Sequence, residues 1–161
     1  MKQGGHHANV SGKVLESIVE SSLHAKGFNV INYKIWEKDK EKSGNEILVK
    51  NVPYKSIYKH ASKTEFLILS SEFKVHTRIE CKWQQASGSV DEKFPYLFLN
   101  CAEMMTEPHI IILLDGGGAK KGAIEWLANA CEKFNLDSNN NRKIDLMTST
   151  QFLQWVNSKF K

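Results

Sequence analysis

Apolar residues recur at Val14, Leu15, Ile18, Val19 and Leu23, the spacing of one helical face, and Gly27 follows Lys26 as a stop signal. Ser11 or a neighbour is placed to cap this first helix. From Phe28 to Trp36 the chain turns to β-branched and aromatic residues and reads as a strand; Glu37 to Asn45 then forms a charged loop. Residues 46 to 63 show no period that selects helix or strand. Two strand-like runs follow, Glu65 to Leu69 and Lys74 to Trp83, joined by Ser70-Ser71-Glu72-Phe73 as an antiparallel hairpin.

A polar turn from Gln84 to Ser89 leads into a helical stretch reaching about Met105 and restarting at Pro95. Ile110 to Leu114 is a continuous apolar run, as expected for a strand buried on both faces. Gly116-Gly117-Gly118 turns it into a helix that buries Ile124, Leu127, Cys131 and Phe134. An Asn-rich loop from Asp137 to Asn141, a short strand from Ile144 to Met147 and a last helix starting near Thr148 to Thr150 complete the pattern. The order helix, strand, hairpin, helix, strand, helix, strand, helix predicts an α/β fold, a mixed β-sheet flanked by helices.

A length of 161 residues with 41% hydrophobic content supports one well-buried core and is short for two ordinary domains, so residues 1–161 are expected to form a single domain. The longest apolar run, His109 to Leu114, is far shorter than a membrane span, and Met1 to His7 lacks the apolar core of a signal peptide. A soluble, cytoplasmic protein is the expectation. Cys81, Cys101 and Cys131 are odd in number, far apart and set in apolar segments, which argues against a disulfide framework or zinc knuckle.

The net charge of +4 and pI near 8.9 permit a polyanionic partner without requiring one. Distribution says more than the total. Lysines crowd the stretch from Lys34 to Lys63 together with Tyr33, Trp36, Tyr54 and Tyr58, and cations interleaved with aromatics suit phosphate contact and base stacking. Lys55, Tyr58 and Lys59 are the candidate DNA contacts there, although a solvated loop of a lysine-rich protein would look the same.

In Arg78-Ile79-Glu80-Cys81-Lys82-Trp83, strand alternation puts Ile79, Cys81 and Trp83 on one face and Arg78, Glu80 and Lys82 on the other. A hairpin closing symmetrically around Ser71 to Lys74 sets Glu65 opposite Glu80. Facing carboxylates repel unless a cation lies between them. Mg²⁺, with Mn²⁺ as substitute, accepts two carboxylates plus a backbone carbonyl, that of Cys81, and phosphate oxygens. Lys82 reaches the same space and could polarise the attacking water, so the set is chemically complete for hydrolysing a phosphodiester.

These residues resemble the PD-(D/E)XK nuclease superfamily, in which an acid-bearing helix precedes a hairpin with one acid on its first strand and acid-x-Lys on its second. The corresponding segments are Gly12-Lys13-Val14-Leu15-Glu16, Thr64-Glu65-Phe66-Leu67-Ile68 and Glu80-Cys81-Lys82. The resemblance implies a restriction-endonuclease-like αβββαβ core with an insertion at about 34–63. It implies Glu65 and Glu80 as metal ligands, Lys82 as catalytic and Glu16 as an accessory acid. In some members a Gln beside the active strand and a Lys on the next helix approach the phosphate. The segment from Trp83 to Lys93 is similar, and Gln84, Ser87 and Lys93 take those places. Two positions depart from the family pattern: Glu65 stands for the usual Asp and Thr64 for the usual Pro.

The glycine run from Gly116 lacks the Lys and Ser or Thr of a phosphate loop and reads as a tight turn; His6-His7 has no second ligand pair. The expectation is a Mg²⁺-dependent endodeoxyribonuclease, sequence-specific or structure-specific. A non-catalytic DNA-binding module with the same fold and a plain α/β interaction protein stand as alternatives. Phe94, Tyr96, Leu97, Phe98 and Leu99, with Trp155 and Phe160, exceed what one core face needs and suggest a homodimer.

Overall fold

The computed structural model describes residues 4–85 and 91–161, with side-chain detail from residue 12. Helix α1 (Gly4–His24) opens the chain. It starts well before Ser11, which therefore lies inside the helix and not at its cap; no proline interrupts the residues ahead of it. Leu15, Val19 and Leu23 are fully buried, whereas Val14 is 44% exposed, so the buried stripe is narrower than the apolar pattern suggests.

The strand expected from Phe28 to Trp36 ends early. Strand β1 (Asn29–Asn32) stops where the Asn32 side chain accepts the Lys34 N–H at 3.1 Å and caps the short helix α2 (Tyr33–Trp36). A local Asn hydrogen bond has outcompeted the ladder. The segment without a legible period supplies β2 (Glu46–Lys55), followed by β3 (Ala61–Ser70) and β4 (Val75–Trp83). Much of the expected insertion at 34–63 is thus sheet. Its period was masked because Ile47, Leu48 and Val49 are buried on both faces and Pro53 sits in the strand beyond the reach of β1, where a missing N–H removes no bond to that neighbour.

After Trp83 come a 3₁₀ turn (Asp91–Lys93), helix α3 (Phe94–Leu99) with Pro95 in its first turn, and a π turn (Asn100–Met104). Strand β5 (His109–Asp115), helix α4 (Lys121–Leu136), strand β6 (Lys143–Met147) and helix α5 (Ser149–Lys159) follow. Thr148 closes a capping box with Gln151 at the start of α5. On α4, Leu127 and Cys131 are buried, but Ile124 is 36% exposed and Phe134 is only partly covered.

The six strands lie in chain order in one sheet. β1 runs parallel to β2, the two hairpins β2–β3 and β3–β4 are antiparallel, and β4, β5 and β6 are parallel. On one face Leu15, Val19 and Leu23 of α1 and Phe152, Val156 and Phe160 near α5 cover Phe66, Ile68, Ile79, Cys81, Ile111 and Leu113. A second cluster joins Phe94, Leu97 and Cys101 of the α3 region and Leu127 and Cys131 of α4 to Ile110, Ile112, Leu114 and Ile144. Phe160 meets Phe28, Phe73 and Trp155 edge to face, so the aromatic surplus at the end of the chain belongs to the core. Among the described residues no helix is long and apolar enough to cross a membrane.

Candidate active site

The pairing of β3 with β4 sets the site. Ser70 stands opposite Val75 and Phe66 opposite Ile79, which is the symmetric closure around Ser71 to Lys74. The ladder stops there. Beyond Phe66, β3 stays with β2 as far as Ala61 opposite Lys55, while beyond Ile79, β4 stays with β5 as far as Trp83 opposite Asp115. The sheet therefore forks. Glu65 and Glu80 are the first residues past the fork on its two arms.

The β2–β3 ladder also breaks at this level. Lys50 pairs with Phe66 and Val52 with Thr64, but Asn51, opposite Glu65, lies in the left-handed region at φ 56° and makes no ladder pair. Glu65 fills the gap across the fork, its Oε2 accepting the Cys81 N–H at 2.8 Å. Strand backbone thus holds one acid against the strand that carries the other.

Glu80 is 5% exposed, and the Lys82 ammonium lies 2.5 Å from its Oε1. Its other carboxylate oxygen, Oε2, is buried without a hydrogen-bond partner. Burial first and the Glu80 charge second push the Glu65 carboxyl up to about 7. For Lys82, burial alone would lower the ammonium's pKa, but Glu80 and Glu65 outweigh it and hold it above its ordinary value. The two carboxylates thus favour the cationic form of Lys82.

A hard divalent cation fits this arrangement. Two carboxylates compete for one region, one is pushed toward its neutral form and the other keeps an uncoordinated oxygen, which is an oxygen-donor set short of positive charge. Among the described residues no cluster of three or more His, Cys, Asp or Glu groups is gathered to hold a metal. Glu16 lines a hollow on α1 with Lys13, Ser17, Glu20 and Lys50; burial and then the Glu65 charge raise its carboxyl.

Glu80 and Lys82 open into a cleft of about 400 Å³. Tyr54, Ser62 and Lys63 form one wall, Lys93, Phe94, Tyr96, Leu97 and Asn100 the other, and Trp83 continues the floor. Lys93 is thus beside the acids, whereas Lys55 and Lys59 are exposed toward the tip of the β2–β3 hairpin. Gln84 is 4% exposed; its N–H donates to Asp115 O at 2.9 Å and its carbonyl accepts Gly118 N–H at 2.8 Å. Its amide lies 3.4 Å from Asp91. The glycine run is the tight turn that its sequence suggests. Gly116 has φ 108°, and any Cβ there would collide with the Gln84 carbonyl. The Cys81 thiol points into the α1 core and is raised by burial, so only the Cys81 backbone could face a metal. Ser87 lies outside the described residues.

Sequence reasoning missed Asn100, and it placed Tyr54 among the aromatics of the lysine-rich segment without setting it beside the acids. Burial and then the Glu80 charge raise the Tyr54 phenol. Asn100 is 1% exposed and accepts the Ile57 N–H at 2.9 Å, tying the hairpin tip to the α3 region. A lone Asn after the apolar run Phe-Pro-Tyr-Leu-Phe-Leu was the available signal.

With the forked sheet and the two acids in place, the family comparison is specific: the model of the PD-(D/E)XK nuclease superfamily domain matches residues 7–160, and the chain belongs to that superfamily. No curated protein and no solved structure matches alongside it.

Proposed function

We propose that this chain is a metal-dependent endodeoxyribonuclease, one domain that hydrolyses DNA phosphodiester bonds at the fork between β3 and β4. The observation that carries this reading is Glu65 set against Glu80, with Lys82 on the same strand and a superfamily match spanning the site. Glu65, Glu80 and the Cys81 carbonyl would hold Mg²⁺ or Mn²⁺. When bound, such an ion supplies positive charge at the phosphate and acidifies the attacking water.

The chain's own groups supply the rest. Lys82, kept protonated by Glu80, donates hydrogen bonds to a phosphate oxygen or to the water and neutralises charge that develops in the transition state. Lys93 on the cleft wall, with Lys55 and Lys59 further out, attracts the backbone of the DNA. Gln84 acts as a positioning residue, fixing the end of β4 against the Gly116 turn.

Cutting both strands of a duplex, or both arms of a junction, calls for two active sites, so a homodimer is part of this reading. With Phe160 used in the core, the exposed Leu99 and Trp126 of the α3–α4 face are candidates for its interface. Incubation with supercoiled, linear and branched DNA tests the proposal: cleavage is expected with Mg²⁺ or Mn²⁺ and none in excess chelator. Chelator-resistant cleavage would overturn the metal role, and no cleavage of any DNA would overturn the nuclease reading. Light scattering that shows a strictly monomeric mass, alone and with DNA, would remove the dimer.

A further inference from the structure

The tip of the β2–β3 hairpin is built to hold an aromatic ring in the open. Ser56 is fully buried; its N–H donates to His60 O at 2.9 Å and its carbonyl accepts Lys59 N–H at 2.8 Å. Lys59 takes the left-handed conformation, φ 64°, that this tight turn demands. The buried Asn100 amide then clamps the turn through the Ile57 N–H. Next to that clamp Tyr58 is 64% exposed, yet its ring stacks on Tyr96 with centroids 5.1 Å apart and planes 25° from parallel. Tyr96 is itself a wall of the cleft that holds Glu80 and Lys82.

An exposed tyrosine normally gains entropy by moving. Here a pinned turn and a ring partner fix it, with its outer face in solvent. Such a platform has little to offer an intact duplex, whose base faces are already covered by their neighbours. It suits an unpaired base, for which aromatic stacking is sequence-tolerant. Lys59 on the same turn, with Lys63 and Lys93 on the cleft walls, gives the connecting phosphates a cationic path toward the two acids.

We infer that Tyr58, backed by Tyr96, is a stacking site for an unpaired nucleobase close to the scissile phosphate, which makes DNA with single-stranded or branched segments the preferred substrate over blunt duplex. This rests on the nuclease reading for the word scissile, but the binding step can be read without it.

The test uses DNA carrying 2-aminopurine, a fluorescent adenine analogue quenched by stacking, at an unpaired position beside a duplex–single-strand junction. Binding is measured in EDTA, against a blunt duplex of equal length. The wild type and Tyr58→Phe should quench the probe and favour the junction DNA. Tyr58→Ala should lose the quench and bind the junction roughly tenfold more weakly, a loss several times larger than its loss on duplex. Unchanged quenching by Tyr58→Ala, or an equal loss on both DNAs, would overturn the stacking site. Cleavage assays in Mg²⁺ separate the two readings. A protein that quenches and favours the junction but never cuts keeps the stacking site and refutes the nuclease. One that cuts both DNAs alike, with or without the Tyr58 ring, keeps the nuclease and refutes the site.

Discussion

Arg78 and Glu80 are two residues apart on β4, each about one-twentieth exposed, and each buries a charge beside a glutamate. Their surroundings treat that charge in opposite ways. Arg78 meets Glu107 at 2.6 Å and also donates to Val52 O and Thr64 Oγ1, joining three strands and the segment before β5. For Glu107, burial alone would push the carboxyl up, but the Arg78 hydrogen bond and charge outweigh it and hold it low. Glu80 instead faces Glu65, which is pushed up to about 7. An orphaned oxygen does not distinguish the two places, since Glu107 Oε2 lacks a partner as well as Glu80 Oε2. The second carboxylate does. Arg78 and Glu107 neutralise one another, whereas Glu65 and Glu80 share the one ammonium of Lys82.

The largest expected effect follows directly. Glu80→Gln and Lys82→Ala should each lower cleavage by at least about a hundredfold, the scale for losing a group that acts on transition-state charge. Their circular dichroism should stay near wild type, while Lys82→Ala, which leaves the buried Glu80 carboxylate without its cation, should also melt at a lower temperature. Wild-type cleavage by either variant would place the chemistry elsewhere. Arg78→Met should invert the pattern. It strands Glu107 in the core at a cost of about 3–5 kcal/mol, read by denaturant unfolding, while Arg78→Met combined with Glu107→Gln should recover part of the loss. A neutral Arg78→Met would break the comparison from the other side.

A smaller effect tests how firmly the active strand must be anchored. Gly116→Ala forces a Cβ onto the Gln84 carbonyl at a left-handed position, so it should cost about 1–3 kcal/mol of stability. It should also reduce cleavage more than an equal destabilisation placed on the far side of the sheet. Equal losses of cleavage for the two would show that Gln84 does not position β4.

The hairpin that sets these acids together was legible because strand alternation is strict and the turn chemistry around Ser71 to Lys74 is local. Elsewhere burial on both faces erased the period, as at Ile47 to Val49, or one side chain overrode propensity, as at Asn32. The fork itself could not be read. It depends on β3 and β4 choosing different partners beyond Phe66 and Ile79, a long-range fact that no local pattern encodes. The Arg78–Glu107 pair and the clamp from Asn100 to Ile57 were hidden for the same reason, since each joins residues dozens of positions apart.

The subtlest prediction concerns Glu65 without metal. A carboxyl whose folded pKa is raised from 4.5 to about 7 binds its proton more tightly in the native state than in the unfolded one. Native stability is then highest below pH 4.5, falls as pH rises toward 7 and loses nothing further above it. Glu16 is raised too, and adds a decline of the same sign. Glu65→Gln removes the ionisation but keeps an oxygen for the Cys81 N–H. In chelator at pH 8 it should therefore be more stable than wild type, on the order of 1–3 kcal/mol. At pH 4 the two should nearly coincide, and comparing the variant with wild type at each pH cancels the titration of the histidines. Mg²⁺ should reverse the order at pH 8, stabilising wild type more than Glu65→Gln, because only the ionised pair attracts the cation. Melting curves at the two pH values, with and without Mg²⁺, measure all of this. A Glu65→Gln protein less stable than wild type at pH 8 in chelator would mean that the two acids do not oppose each other, and that the contrast with Arg78 and Glu107 was misdrawn.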